Sequence, residues 1–267
     1  PTLPFALLAW EALQDHPNCP GNPRGLEASK VVLLPSCPGA PGSPREKGAA
    51  GPQGQPGPPG KMGPKGEPGG PISPSPGPRN CQELRSRGAT LSGWYRLCLL
   101  EGRALPVLCD MDTKEGGWLV FQRRQDGSVD FFRSWSAYKL AVQGTWELRV
   151  ELEDFTGNHT FACYESFRLL GEADHYQLVL GKFSEGTAGD SLSLHNGKPF
   201  TTYDDHDTSK SNCAVTVHGA WWYGSCYRSN LNRRYATSEA AAHKYGIDWA
   251  SGRGVGHAYR KVHMMLR

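Results

Sequence analysis

Asp205, Asp207, Ser209 and Ser211 recur at every second position just before Cys213. Calcium takes six to eight oxygen ligands, and a tight loop with this spacing supplies two carboxylates plus main-chain carbonyls, with water completing the shell. An EF-hand is excluded, because no Gly stands at the sixth position and Thr216 replaces Glu at the twelfth. Taken alone, the same residues also suit a solvated acidic turn. Cys213 and Cys226 enclose a loop short enough for a bridge, and Tyr227 to Tyr235 mixes aromatic side chains with Arg and Asn. Such a surface suits sugars: rings stack on the apolar face of a pyranose, while amides and fixed backbone N–H groups meet hydroxyl or acetyl oxygens. Enzymatic signatures are missing, with no H-E-x-x-H or G-x-S-x-G, and Gly197-Lys198 is followed by Pro199 where a nucleotide loop needs Ser or Thr. The reading is therefore of a binding protein and not an enzyme.

These residues need a framework, and most of the large apolar side chains lie after Cys81, including seven of the eight Trp. Gly117–Gln122, Trp146–Leu152 and Tyr176–Leu180 read as strands, the middle run alternating as a half-buried strand should. Cys81–Arg87 and Ser238–Lys244 read as short helices. The prediction is an α+β domain on antiparallel sheet.

Ahead of it, Gly leads successive triplets at 39, 42, 48, 51, 54, 57, 60, 63, 66 and 69, with Pro frequent between. Only Gly fits where three polyproline-like strands meet, so the period predicts a collagen triple helix and a homotrimer. Arg45 breaks the period, so the firm helix is expected from Gly48. The expected organisation is an N-terminal segment at 1–38, a collagen-like stalk at 39–71, a linker at 72–79 and a recognition domain at 80–267. In the first segment, Pro4–Trp10 reads as the remnant of a signal sequence. Cys19 and Cys37 are candidates for interchain bridges that join trimers into higher oligomers, an intrachain Cys19–Cys37 loop being the alternative. No C-x-x-C pair suggests zinc or redox chemistry, so disulfides in an oxidising compartment, and a secreted protein, are expected. A net charge of +3 with interleaved signs offers no nucleic-acid patch, and no apolar run is long enough for a membrane span.

Several motifs carry a family resemblance: Asn80-Cys-Gln-Glu-Leu84, Leu91-Ser-Gly-Trp-Tyr95, Cys109-Asp-Met-Asp112, Phe121-Gln-Arg-Arg124, Asn212-Cys-Ala214 and Gly219-Ala-Trp-Trp-Tyr223. They resemble a fibrinogen-related domain, and with a collagen arm in front the chain resembles a ficolin. The resemblance implies a secreted, calcium-dependent lectin that binds carbohydrates and acetylated groups on microbial or damaged surfaces. It also implies initiation of complement's lectin pathway through mannose-binding-lectin-associated serine proteases. Matched to the family, Asp205 and Asp207 ligate calcium through side chains and Ser209 and Ser211 through main-chain oxygens. Ser225, Cys226 and Tyr227 form the contact centre, after a cis Ser225–Cys226 bond, with His243 nearby. Many relatives carry His where Tyr227 stands, so a strict sugar preference is not carried over. Trp221 and Trp222 are assigned to the core.

Pro59-Gly-Lys-Met-Gly-Pro64 resembles the protease-docking motif of collagenous lectins, with Lys61 as its cation, and Asn158-His-Thr160 is a glycosylation sequon. The family pattern pairs Cys81 with Cys109 and Cys213 with Cys226. An additional Cys that relatives carry before Asn80 is missing, so Cys98 and Cys163 are expected either to pair with each other or to be free thiols. Between Tyr138 and Gln143 the chain omits about twenty residues that relatives keep, including a Phe-Trp-Leu-Gly segment whose packing is worth several kcal/mol. A fibrinogen-like matrix or receptor-ligand protein, or a non-functional isoform, is the alternative reading.

Overall fold

The structure is a computed structural model and describes residues 14–15, 77–98, 103–138, 144–205, 212–242 and 246–267. The chain divides into two units, Pro38–Ser75 and the remainder, and the expected collagen segment with Lys61, as well as Cys19 and Cys37, lies outside the described residues.

Asn80 starts helix α1 (Cys81–Ser86): its Oδ1 accepts from Glu83 N at 2.7 Å, while the Glu83 carboxylate accepts from Arg79 N at 2.9 Å. This reciprocal cap stabilises a helix too short to stand alone. A central antiparallel sheet follows. Its strands are β1 (Gln14–Asp15), β2 (Gly93–Cys98), β3 (Arg103–Asp110), β4 (Trp118–Arg124), β5 (Trp146–Asp154), β6 (His159–Leu169), β7 (Leu178–Leu180), β8 (Phe183–Glu185) and β11 (Tyr259–Leu266). They run in the order β1-β3-β4-β11-β5-β6-β7, with β2 paired to β3 and β8 to β6. Alternation explains the central strands: Leu148, Val150 and Leu152 of β5 enter the core beside Val262, Met264 and Leu266 of β11. The C-terminal strand thus lies between β4 and β5, where sequence proximity alone would not put it.

Two features depart from the sequence reading. Gln14–Asp15 pair with Ala104 and Arg103, on the part of β3 that β4 does not reach, whereas the sequence reading sets residues 1–38 apart from the recognition domain. A two-residue strand held by main-chain bonds leaves no hydrophobic period to read. Cys98 is disulfide-bonded and Cys163 is a buried free thiol, so they neither pair nor share a fate. They lie in β2 and β6, separated by four strands at about 4.8 Å per step, well beyond the reach of a disulfide. Cys163 sits 3.3 Å from Arg149 Nη1, and burial pushes its thiol pKa up.

The described residues within 186–258 carry little regular structure: a 3-10 turn (Ser193–His195), the short helices α2 (Cys213–Thr216), α3 (Glu239–Ala242) and α4 (Ala250–Arg253), and a ribbon of β9 (Ser229–Asn230) with β10 (Asp248–Trp249). Yet Trp221, Trp222, Trp249 and Arg233 of this region are among the most buried side chains. At the shortened connection, Tyr138 is buried, its hydroxyl donating to Phe131 O at 2.5 Å and its ring meeting Phe200 edge-on at 4.9 Å.

Candidate functional site

The stems of the two candidate loops are neighbours. Thr201 N donates to Trp221 O at 3.0 Å and Trp221 N to Thr201 O at 3.2 Å, which sets the chain leading to Asp205 beside the chain leading to Ser225. At the other end, Cys213, just past the candidate calcium loop, is bonded to Cys226 within the contact centre, Cα to Cα 5.0 Å. Cys81 and Cys109 are likewise bonded, Cα to Cα 5.7 Å. The calcium-loop and ligand-loop segments are therefore joined twice.

Two side chains fix the mouth of the candidate calcium loop. Asp204 Oδ1 accepts from Trp135 N at 2.9 Å and from Thr202 Oγ1 at 2.7 Å, anchoring the entry strand to a short 3-10 turn. Asn212, in a left-handed conformation (φ 35°), caps α2 by accepting from Val215 N at 3.1 Å and reaches back to donate from Nδ2 to Tyr203 O at 3.3 Å. Entry and exit are clipped to each other, with Asp205 half-buried at the entry. Asp207, Ser209 and Ser211 lie outside the described residues, as does His243. By residue type alone, two carboxylates with main-chain carbonyl oxygens would be a hard, all-oxygen donor set of the kind Ca2+ prefers.

In the contact centre Ser225 and Tyr227 are exposed, the Tyr227 ring half so (50%), and Cys226 is partly buried. The Ser225–Cys226 bond is trans, against the family-based expectation. A cis non-proline bond costs about 3 kcal/mol and persists only where its surroundings enforce it, and here both Ser225 and Tyr227 face solvent. Trp221 and Trp222 are core, as assigned, and Trp222 Nε1 donates to Tyr176 O at 2.9 Å. Tyr223 supports the turn from below: its hydroxyl donates to Gly219 O and accepts from Asn230 Nδ2 at 2.7 Å. Asn158 is exposed in the turn between β5 and β6, its Nδ2 donating to Asp154 Oδ2 at 3.1 Å.

Sequence reasoning missed His195, which is fully buried directly beneath Gly224. Its Nδ1 lies 2.5 Å from Trp222 O and 3.2 Å from Gly224 N. Burial lowers its pKa to about 4, with Arg228 and Lys198 adding to the effect, so the imidazole is neutral at pH 7. Asp204 and Asn212 were also missed as positioning residues; an Asn directly before a helix-starting Cys is the one signal available.

The chain matches the family model of the C-terminal globular domain of fibrinogen beta and gamma chains over residues 77–142 and 138–267, two stretches that meet at the shortened connection. It is 73% identical to human Ficolin-3 across 293 aligned positions, covering 100% of this chain and 98% of that one. It is 45% identical to Ryncolin-4 of Cerberus rynchops, over 71% of this chain and 61% of that protein. The fibrinogen-like globe domain of human ANGPTL6 superposes with a TM-score of 0.65 at 38% identity, covering 72% of this chain and 96% of that one. With a fibrinogen-type head, no enzymatic signature and full-length similarity to a ficolin, the chain belongs to the ficolin family and is a ficolin-type lectin.

Proposed function

We propose that the protein is a secreted, calcium-dependent pattern-recognition lectin that binds carbohydrates and acetylated groups on microbial or damaged surfaces. The observation that carries this reading is the double joining of the two loops, through Thr201 with Trp221 and through Cys213 with Cys226, beside an exposed Tyr227. Asp205 and Asp207 would hold Ca2+ through carboxylates and Ser209 and Ser211 through main-chain oxygens. The ion supplies charge neutralisation and cross-linking to an acidic loop. Ser225, Cys226 and Tyr227 offer the sugar a ring and backbone groups, with His243 at the rim. Stiffening the first loop restrains the second through the shared bonds, so calcium and ligand act on one unit.

Weak single-site binding becomes useful when the heads of a collagen-linked homotrimer, and of higher oligomers bridged through Cys19 or Cys37, engage a repetitive surface together. Lys61 in the stalk would dock the associated serine proteases of the lectin pathway through acidic groups, an attraction that weakens with salt. Asn158 would carry a glycan away from the loops.

The test is retention of secreted, full-length protein on an acetylated resin in calcium. The account expects release by EDTA and by free N-acetylglucosamine, and loss of retention in Asp205→Ala. Folded, secreted protein that never binds favours a matrix or receptor-ligand role, which a fibrinogen-like head also supports; failure to secrete would indict the shortened connection after Tyr138.

A further inference from the structure

Six of the eight cysteines lie among the described residues, and the state of each is defined. Cys81 is bonded to Cys109, Cys213 to Cys226, and Cys163 is a free thiol. Cys98 is disulfide-bonded as well, so its partner is Cys19 or Cys37, the two cysteines outside the described residues. The fold brings one of them near. Ala104 of β3 pairs on one side with Cys98, the last residue of β2, and on the other with Gln14 of β1. β1 and β2 both run antiparallel to β3 and are therefore parallel to each other, so the chain leaves Asp15 at the end of the sheet where Cys98 lies. Two strand steps separate Asp15 from Cys98, about 10 Å, and Cys19 stands four residues after Asp15, a reach of up to about 14 Å. A disulfide requires its Cα atoms only within about 7 Å. Cys37 stands twenty-two residues after Asp15, and loop-closure entropy makes its encounter with Cys98 about tenfold rarer. Trp94 and Arg96, on the same face of β2 as Cys98, are exposed, yet Ala104 at that end is fully buried. A segment fastened to Cys98 supplies such cover.

We propose that Cys98 and the part of β3 that β4 does not reach form a dock for the N-terminal segment of the same chain, which lies as β1 along Arg103–Ala104 and is fastened by a Cys19–Cys98 disulfide. Forming the bond turns two thiols into one disulfide, the two protons and two electrons passing to a disulfide oxidant of the secretory compartment. Residues 20–47 reach about 90 Å when extended, further than the about 75 Å of residues 48–71 at polyproline rise, so the docked segment is compatible with an assembled stalk. The bond stands on the fold alone, whereas its consequence for assembly rests on the homotrimer reading above. With Cys19 taken, Cys37 is the N-terminal cysteine left to bridge chains. A trimer holds an odd number of them, so pairing two within it leaves one to reach a second trimer, and the covalent unit is a pair of trimers.

Disulfide mapping of the secreted, full-length protein tests it. Free thiols are alkylated without reduction, and trypsin, cutting after Arg24, Lys30, Arg45, Arg96 and Arg103, puts Cys19, Cys37 and Cys98 on separate peptides. The expected result is a linked pair of the Cys19 and Cys98 peptides. Linkage of Cys98 to Cys37, or a Cys98 alkylated as a free thiol, overturns the proposal. Cys37→Ser distinguishes a bond within the chain from one between chains: it should lose all covalent oligomers and run as a single chain on a non-reducing gel. Covalent dimers or trimers that persist in it put the Cys19 bond between chains and overturn the dock. Adding Cys98→Ser should release Cys19, read as one new alkylated thiol per chain or as covalent dimers, and a double variant that shows neither also overturns it. Mapping of the parent decides the bond even where a variant fails to secrete. The parent's native mass, taken alongside, keeps the two readings apart: a monomer overturns the homotrimer reading and the pairing of trimers, while the linked peptides still decide the bond.

Discussion

The central sheet and the described part of the loop region from 186 to 258 both bury large side chains but are held together by different means. In the sheet, Leu148, Val150, Leu152, Val262 and Met264 make an apolar layer whose order comes from strand alternation and main-chain ladders. In the loop region, fully buried side chains sit on backbone with few ladders, and order comes from particular polar pairings: Arg233 with Asp248, His195 with Trp222 O, Asn232 Nδ2 with Ala220 O, and the Cys213–Cys226 bond. A layer of interchangeable apolar residues tolerates change by degrees. A set of specific pairings gives the candidate loops a defined shape without a rigid ladder beneath them, and fails one partner at a time.

The largest expected effect breaks one such pairing. Asp248→Ala leaves Arg233 charged and buried, and should cost about 3–5 kcal/mol in chemical denaturation, while adding Arg233→Met should recover most of it. Removing both Cys213 and Cys226 opens the loop that joins the two sites and should cost about 3 kcal/mol; calcium affinity should fall with it. Each region also carries one histidine shielded from water, fully buried His195 in the loops and half-buried His263 on β11, and desolvation lowers both to about 4 from an ordinary 6.5. Between those values the unfolded chain binds more protons, so stability is complete above pH 6.5 and declines as pH falls towards 4. Every tenfold difference in proton affinity between the folded and unfolded chain contributes about 1.4 kcal/mol per histidine. Denaturation midpoints across that window should flatten by comparable amounts in His195→Asn and His263→Gln, and a slope that survives both would assign it elsewhere. The smallest effect is Trp94→Ala, a partly exposed ring (40%) on the edge strand β2, expected to change stability by no more than about 1 kcal/mol.

The contrast also governs what could be read from the residues alone. β5 was legible because alternation is a local signal and β4 because its apolar and aromatic residues run together, helix α1 was legible as a short local segment, and the family motifs placed Cys81–Cys109 and Cys213–Cys226. The loop region was legible only as a list of ligand-like residues. Nothing local announces that Thr201 bridges Trp221, that Asn212 reaches Tyr203, or that His195 lies under Gly224, because each pairing spans nine to twenty-nine residues of irregular chain. The same limit explains why Cys98 was misread while Cys163 is the free thiol that one of the two expectations allowed. It also explains the trans Ser225–Cys226 bond, since the sequence cannot say whether its surroundings would enforce cis.

The most direct test of the joined-loop account is a calcium titration of the full-length protein with and without saturating N-acetylglucosamine, paired with a sugar titration with and without calcium. The account predicts that each ligand tightens the other by the same factor, and that opening Cys213–Cys226 shrinks that factor. Calcium and sugar affinities that ignore each other, or a protein that binds no calcium, would contradict it.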